Sequence, residues 1–316
     1  MGVTDGNVPA ARFWQPSGMR LFLASLLAFA IASFAPTAAA LGSIVEARFV
    51  AAALKRGAIA WDIRPQSAYF DGHIRGAVNV GFVGHALLDE KTHLFLPIET
   101  IAARLGEAGI DLSREIVVYG GSGSAYPYFA QFALEYFGAR RVHVYHDGFE
   151  GWKAAKRPVA STPVPRKAVK VRPFANPSLL VTTGEVLARI GNPNVQFVDA
   201  RRLAEYAGEE SETLHAGHIP GALHVYYAEM LVDPDAPRKL MAGETKDRSG
   251  MALKKLPALR KLYAGLDPRK ETIVYCHTGI RASMTAAVLA RLGFRNVRVY
   301  HASWLEYGNQ LDPPLE

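Results

Sequence analysis

The fold is decided by the stretch Ile273-Val274-Tyr275-Cys276-His277-Thr278-Gly279-Ile280-Arg281-Ala282-Ser283. Its first three residues form a short apolar run that predicts a buried strand. The apolar periodicity of residues 282–292 predicts the helix that follows the strand. Cys276, the only cysteine in the sequence, stands where the strand ends and the loop to the helix begins.

A thiol at this place meets backbone N–H groups that lack intrahelical partners, and the positive end of the helix dipole. The dipole stabilises a thiolate by roughly 0.3–2 kcal/mol. A hydrogen bond from the ionised side chain of Arg281 adds about 1.5–3 kcal/mol. Because a lone cysteine excludes an internal disulfide, Cys276 acts without a resolving partner in its own chain. The alternative for such a cysteine is a small buried hydrophobic residue.

Length and composition predict two globular domains, since 316 residues with 49% hydrophobic and 21% charged residues exceed one typical domain. The net charge is +7, but no basic run with interleaved aromatic residues accompanies it, so nucleic-acid binding is not expected. A mild positive excess suits small anionic substrates. The histidines lack the spacing of metal ligands, and the sequence calls for no metal or other cofactor.

Residues 1–40 have the pattern of a secretory signal peptide. An apolar stretch at residues 21–34 follows Arg20 and precedes an A-x-A cleavage motif at residues 38–40. The stretch is short for a membrane span. We therefore expect a mature chain that begins near Leu41 and resides in a periplasm, with a membrane anchor only if the signal is not cleaved. Met19 is an alternative start to Met1.

From Ser43 onward the sequence alternates helices with short strands, and the pattern occurs twice. A capping box at Ser43 and Glu46 predicts a first helix through Leu54. The proline-rich residues 161–177 predict an extended linker. The sequence thus predicts an N-terminal domain over residues 43–160 and a C-terminal domain over residues 178–316.

Matching motifs support this repeat. The strand end at residues 199–201 repeats the Asp-x-Arg of residues 62–64, and residues 216–222 repeat residues 71–77. In the corresponding loops Gly120 stands where Cys276 does, and Ala125 where Arg281 does. The first copy has therefore lost both the nucleophile and the cation, and we predict that it is catalytically inactive.

The Asp-x-Arg strand ends, the Gly-His-Ile-x-Gly-Ala turns, the strand–cysteine–loop–helix unit and residues 299–307 together resemble the rhodanese (sulfurtransferase) family, in its exported, tandem-domain bacterial form. The resemblance covers nearly all of residues 43–316 and implies two α/β domains, each a small parallel sheet flanked by helices. It also implies persulfide chemistry. Cys276 would take a sulfane sulfur from a small anionic donor such as thiosulfate and pass it to cyanide, a thiol or a partner protein.

The resemblance assigns roles to the loop after Cys276. The backbone N–H groups of His277, Thr278, Gly279, Ile280 and Arg281 would hold the negative charge of the persulfide, and the Arg281 side chain would hold the leaving anion. The side chains of His277 and Thr278 are further candidates, either for contact with the acceptor or for donation to the persulfide. Gly279 supplies the backbone shape of a tight loop.

For residues outside the cysteine loop, the sequence leaves alternative roles open. Arg201 is either part of the pocket rim or half of a buried ion pair with Asp199 that fixes the loop. Trp304 is either pocket wall or domain packing. Glu205 stands where the thiosulfate and mercaptopyruvate classes carry a substrate-binding arginine, which leaves the donor open and favours thiosulfate or a related sulfane donor over mercaptopyruvate.

Two other functions compete with sulfur transfer. Phosphatases that share the rhodanese fold use Cys-x5-Arg, whereas Cys276 and Arg281 are spaced as Cys-x4-Arg, so the loop closes around something smaller than phosphate. The other competitor is a sulfur carrier or binding module that serves a periplasmic partner without turnover.

Overall fold

The computed structural model describes Gly2 and residues 43–316. The expected signal peptide and its cleavage site therefore lie outside the described residues, except for Gly2. The described residues 43–316 all belong to one compact unit. Within the described part of the chain, no helix is both long enough and apolar enough to span a bilayer.

The first half contains seven strands and six helices within residues 43–160. The strands are β1 (Ser43–Val45), β2 (Ile59–Asp62), β3 (His73–Ile74), β4 (Val78–Asn79), β5 (Ile116–Tyr119), β6 (Val142–Tyr145) and β7 (Val159–Ala160). The helices are α1 (Ala47–Lys55), α2 (Gln66–Asp71), α3 (Val83–Leu87), α4 (Ile98–Glu107), α5 (Tyr126–Tyr136) and α6 (Gly148–Ala154).

The second half contains five strands and six α-helices within residues 178–316. The strands are β8 (Leu180–Val181), β9 (Val195–Asp199), β10 (Leu223–His224), β11 (Glu271–Tyr275) and β12 (Val297–Tyr300). The helices are α7 (Thr183–Leu187), α8 (Leu203–Tyr206), α9 (Ala236–Met241), α10 (Leu256–Leu262), α11 (Ile280–Arg291) and α12 (Ser303–Tyr307), with 3₁₀ turns at Tyr227–Met230 and Ser249–Met251.

Each half is built on a five-stranded parallel sheet, and the two sheets have the same strand order. The first runs β1-β6-β5-β2-β4 and the second β8-β12-β11-β9-β10, while β3 and β7 form a separate antiparallel pair. In the second sheet Tyr275 pairs with Asp199. Because the carboxyl ends of parallel strands share one edge, this register places the Asp-x-Arg strand end beside Cys276.

The prediction of a helix starting at Ser43 is wrong for its first turn. Residues Ser43–Val45 form strand β1, which pairs in parallel with β6. Helix α1 begins at Ala47, and its N-cap residue Glu46 makes no side-chain capping bond. The β-branched Ile44 and Val45 suit an edge strand, and pairing with residues a hundred positions later decides their conformation.

The main hydrophobic core runs through both halves. Helix α5 packs against α11, and Phe129 and Phe132 of the first half share a cluster with Met284 and Val288 of the second. The opposite face of each sheet has its own smaller cluster. Residues 161–177, the expected linker, contain no helix or strand and run along the first half. There the Phe174 N–H donates to the Phe137 carbonyl.

Candidate active site

The cysteine loop (residues 276–281) connects β11 to α11. Gly279 adopts a left-handed conformation with φ of 84° at the N-cap of α11, and its N–H donates to the Cys276 sulfur at 3.1 Å. The Cys276 N–H donates to the Ser303 hydroxyl oxygen, also at 3.1 Å. Thus one donor from the helix start is directed at the sulfur, and the side chain of Ser303 holds the backbone of the cysteine.

Cys276 itself has no exposed surface. A pocket of about 270 Å³ opens beside the loop. The first residue after the cysteine and the arginine that ends the loop both line this pocket, so a ligand there lies against the cysteine loop. The lining residues are Arg201, Arg202, Glu205, Glu210, Ser211, Glu212, His277, Arg281 and Trp304.

Arg281 forms a two-point ion pair with Glu205. The Nη1 and Nη2 groups of Arg281 donate to the two carboxylate oxygens of Glu205, each at 2.8 Å. Both side chains are mostly buried, with 21% and 13% of their surfaces exposed. Burial opposes ionisation of Glu205, but the bonds and charge of Arg281, with further bonds from Arg202, lower its pKa to about 2. The cation expected to serve a substrate anion therefore already has a partner.

Arg201 is half of a buried ion pair. Its Nη2 group donates to Asp199 at 2.6 Å and to the Gly217 carbonyl at 2.7 Å. Its guanidinium lies 4.1 Å from the ring centroid of Trp304, and the backbone N–H of Trp304 donates to the Cys276 carbonyl at 3.0 Å. The two alternatives for Arg201 are thus combined, since it fixes the loop through Trp304 and also lines the pocket.

The other three side chains of the loop are similarly exposed but have different surroundings. His277 is half-buried, and its Nε2 lies 3.4 Å from the Glu212 carboxylate. Burial lowers the pKa of His277, an effect that Glu212 partly offsets. Thr278 and Ile280 are also half-buried, and Ile280 packs against the main core. Of the residues in the cysteine loop, only His277 and Arg281 line the pocket.

Glu210 and Glu212 are pocket residues that the sequence interpretation missed. They belong to residues 208–214, an acidic insertion that the first repeat lacks and that its charge alone would place in a solvated loop. Both side chains are exposed, yet Glu210 pairs with Arg202 and Glu212 approaches His277 at the pocket rim. The signal in the sequence was the distance from the Asp-x-Arg motif to the Gly-His-Ile motif, which is longer in the second repeat, from Asp199 to His218, than in the first. An insertion next to a site motif can extend over the site.

The second half also carries an insertion rich in lysine and arginine at residues 238–255, and none of these residues lines the pocket. Lys239 pairs with Asp233 at 2.9 Å, and Lys254 donates to the Glu229 carbonyl. Arg248 and Met251 of this insertion instead contact the first half, where Arg248 donates to the Ser122 carbonyl and Met251 accepts from His146.

The histidines of the repeated Gly-His-Ile turn brace that turn in both halves. His218 stacks on Tyr206 with ring centroids 3.7 Å apart, and its Nδ1 donates to the Tyr206 carbonyl. His73 stacks on Tyr69 at 3.9 Å and makes the same bond. Because the same arrangement occurs beside a loop without a cysteine, it serves the fold.

The sister loop (residues 120–125) has the geometry of the cysteine loop without its sulfur. Gly123 has φ of 72°, as Gly279 has 84°, and the Phe149 N–H donates to the Gly120 carbonyl as Trp304 does to Cys276. In the sister loop the Ser122 N–H donates to the carboxylate of Glu150 at 2.8 Å. This loop therefore presents an N–H that holds an anionic group supplied by its own chain.

Comparison with known proteins agrees with this geometry. The family model of the rhodanese-like domain matches the chain twice, at residues 46–155 and 182–310. A putative thiosulfate sulfurtransferase of Mycolicibacterium smegmatis is 32% identical over 270 residues, which cover 79% of this chain and 88% of that protein. A thiosulfate sulfurtransferase of Corynebacterium glutamicum is 31% identical over 262 residues, which cover 78% of this chain and 81% of that protein.

Solved structures share the fold. The 3-mercaptopyruvate sulfurtransferase SseA of Escherichia coli superposes with a TM-score of 0.67 at 27% identity, over 83% of this chain and 99% of that one. EanB, solved with a cysteine persulfide and ergothioneine, superposes with a TM-score of 0.71 at 22% identity, over 86% of this chain and 70% of that one, and so shows the fold alone.

The chain belongs to the rhodanese-like family and carries two copies of its domain in tandem. With relatives of this similarity along most of its length, it is a sulfurtransferase. The family, the α/β fold with two parallel sheets and the class of enzyme predicted from the sequence are thereby confirmed.

Proposed function

We propose that Cys276 carries the transferred sulfur as a persulfide, with thiosulfate or a related thiosulfonate as donor and cyanide or a thiol as acceptor. The observation that carries this proposal is the Gly279 N–H directed at the Cys276 sulfur at 3.1 Å, at the start of a twelve-residue helix. A donor in that position stabilises negative charge on the sulfur. The relatives named thiosulfate sulfurtransferase support the choice of donor.

In the first step the Cys276 thiolate attacks the outer sulfur of thiosulfate. A sulfur–sulfur bond forms to Cys276, the bond between the outer sulfur and the sulfonate sulfur breaks, and its electron pair leaves with sulfite. Total charge is unchanged and no proton moves. The product on the enzyme is a persulfide anion, for which the N–H groups of the cysteine loop are the available donors.

In the second step the acceptor attacks the outer sulfur of this persulfide. Cyanide forms a carbon–sulfur bond and leaves as thiocyanate, which returns the Cys276 thiolate. Since the sequence holds one cysteine, a thiol acceptor must come from another molecule.

The sister loop supports the idea that the cysteine loop binds an anionic group. The position of Ser122, which donates to Glu150, corresponds to Thr278, and the position of Glu150 corresponds to Leu305. Leu305 brings no carboxylate, so the N–H of Thr278 is available for a group from outside the chain. We therefore propose that Thr278 acts through its backbone N–H, beside that of Gly279.

The test is mass spectrometry of the intact protein after incubation with thiosulfate. We expect one added sulfur atom, its removal by cyanide with formation of thiocyanate, and no addition to Cys276→Ser. A folded wild-type protein that no sulfane donor loads would contradict the proposal. Loading by thiosulfate without turnover by cyanide or small thiols would instead favour a carrier that serves a protein acceptor.

We also infer that the protein is exported by residues 1–40 and acts in a periplasm. The sequence pattern of a charged residue, an apolar stretch and an A-x-A motif supports this inference. N-terminal sequencing of the protein from a fractionated native host should give Leu41 as the first residue of the periplasmic form. Recovery of the uncut chain from the cytoplasm would contradict it.

A further inference from the structure

Every arginine that lines the pocket is already paired with a carboxylate. Arg201 pairs with Asp199, Arg202 with Glu205 and Glu210, and Arg281 with Glu205. Among the residues that the structure describes, the pocket lining holds three arginines and three glutamates, so it offers no uncompensated positive charge. This is unexpected for a site whose proposed donor, thiosulfate, is a dianion.

Glu205 neutralises the charge of Arg281 and also pairs with Arg202. Its carboxylate accepts from both Nη groups of Arg281 at 2.8 Å, from the Arg202 backbone N–H at 3.0 Å and from the Arg202 Nε at 3.1 Å. It is held in place from two directions and is mostly buried. A carboxylate with these partners stays ionised and stays on Arg281.

The internal repeat shows that Glu205 and Arg281 occur as a unit. Counting from the matched pairs Arg64/Arg201 and Tyr69/Tyr206, the first-half counterpart of Glu205 is Ala68. The counterpart of Arg281 is Ala125. The half with a cysteine has both charges and the half without one has neither, which ties the ion pair to the cysteine loop.

We propose that Glu205 is a specificity-determining residue that sets the charge class of the sulfur donor, by holding Arg281 and cancelling its charge. A donor with two negative charges must either displace Glu205 from Arg281 or lose its hydration without gaining a free cation as partner. A donor with one negative charge loses less hydration free energy when it enters the pocket. The site thereby favours monoanionic thiosulfonates relative to dianionic thiosulfate. This inference rests on the proposed function, since it takes the pocket as the route of the donor to Cys276.

Thiosulfate and methanethiosulfonate provide a matched pair of donors, because a methyl group replaces one charged oxygen and the transferred sulfur is the same. The measured quantity is the ratio of kcat/KM for thiosulfate to kcat/KM for methanethiosulfonate. In Glu205→Gln the ratio should rise by about tenfold or more, through a lower KM for thiosulfate, because Arg281 is released to the dianion. Comparing variants of one enzyme cancels the difference between the two leaving groups.

Three further variants separate charge from structure. Glu205→Asp keeps the charge and should keep the wild-type ratio. The double variant Glu205→Ala/Arg281→Ala reproduces the pair of alanines in the first half, and it should lose the gain seen in Glu205→Gln. Glu244→Gln removes the carboxylate of a similar two-point pair with Arg238, away from the pocket, and should leave the ratio unchanged.

A measurement on the wild-type protein covers the case in which Glu205→Gln does not fold. Alkylation of Cys276 by neutral iodoacetamide is followed with sulfate or methanesulfonate as protecting anions. We expect the two to protect at concentrations within about threefold of each other, and at least tenfold stronger protection by sulfate would overturn the inference. If neither thiosulfate nor methanethiosulfonate loads the wild-type protein, the proposed function fails. If both load it and Glu205→Gln leaves the ratio unchanged, only this inference fails.

Discussion

Phe95 of the first half packs against His301 of the second half, with ring centroids 4.3 Å apart. His301 in turn lies against Gly279, where an added Cβ would stand 2.6 Å from the His301 Nδ1. Gly279 donates its N–H to the Cys276 sulfur. A side chain of the half that lacks a cysteine is thus two contacts away from the residue that orients the sulfur.

Phe95→Ala should therefore impair sulfur transfer from a distance. Phe95 is half-buried, so the loss of stability should fall below the roughly 3–5 kcal/mol of a fully buried Phe→Ala change. The rate of Cys276 loading should fall by about tenfold or more, because a small displacement of the loop misplaces the sulfur. Stopped-flow loading with thiosulfate, together with urea unfolding, measures both effects.

Met251→Ala is the matched control for Phe95→Ala. Met251 is a second-half residue that packs on the sister loop, where a Cβ on Gly123 would stand 2.4 Å from it. Its removal should cost stability, about 2–5 kcal/mol for a buried Met→Ala, with loading of Cys276 unchanged. Equal loss of loading in both variants would show a general effect of the interface and contradict the path through His301.

The sequence could predict the elements that obey local rules. The strands at residues 116–119 and 142–145 and the helix after Cys276 follow from apolar runs and periodicity. Strand β1 was missed because its pairing with β6 lies far along the chain. The loop of Cys276 was likewise predictable from its motif.

Contacts between distant residues account for the rest of the site. Glu205 stands out in the sequence only as a departure from the family pattern, and its pairing with Arg281, 76 residues later, needs the folded chain. The contact of Phe95 with His301 depends on how the two halves pack, which no motif in either half encodes. The internal repeat was nevertheless informative, because Ala68 and Ala125 replace Glu205 and Arg281 together.

Gly279→Ala should disable the cysteine loop. The left-handed conformation of Gly279 costs a residue with a Cβ roughly 1–2 kcal/mol. The new Cβ would also collide with His301 and displace the N–H from the Cys276 sulfur. We expect mass spectrometry to show little or no sulfur loaded on Cys276 at a temperature where the variant is still folded.

Gly293→Ala is the control, since Gly293 has φ of 101° and open space around it. A similar loss of activity in that variant would contradict the role given to the contact with His301.

The stability of the protein should fall as the pH falls below about 6.5, in part because of His301. Burial, with a smaller effect of His93, lowers the pKa of His301 to about 3. Between these values the unfolded chain binds a proton that the folded protein does not, so His301 lowers the free energy of unfolding by about 1.4 kcal/mol per pH unit. Above pH 6.5 both states are neutral at this residue and the effect is absent.

His301→Phe keeps an aromatic ring among Phe95, Phe129 and Phe132 and removes the titrating group. Urea unfolding at several pH values from 4 to 7 should give a slope that is shallower by about one proton equivalent than in the wild-type protein. Identical slopes in the two proteins would show that His301 is protonated in the folded state or exposed by local opening.

Asp199→Asn and Asp62→Asn form a pair that separates stability from activity. Each aspartate accepts from the arginine two residues later, and each arginine lies over an aromatic ring, Trp304 for Arg201 and Phe149 for Arg64. Neutralising one partner of a buried ion pair costs about 3–5 kcal/mol, so both variants should be destabilised. The cost should be smaller for Asp62→Asn, since Arg64 is 13% exposed and Arg201 only 1%.

Loading of Cys276 should nevertheless fall only in Asp199→Asn. Arg201 fixes Trp304, and Trp304 donates to the Cys276 carbonyl, whereas Phe149 makes the same bond to Gly120, which has no sulfur. The comparison is made by stopped-flow loading at a temperature where circular dichroism shows both variants folded. A wild-type rate of loading in Asp199→Asn would mean that the Asp199–Arg201 pair has only a structural role. Slow loading in Asp62→Asn would mean that loss of the ion pair in the first half also affects the site in the second half. The motif is therefore expected to stabilise both halves, and to act on the reaction only where a cysteine stands at the end of the strand.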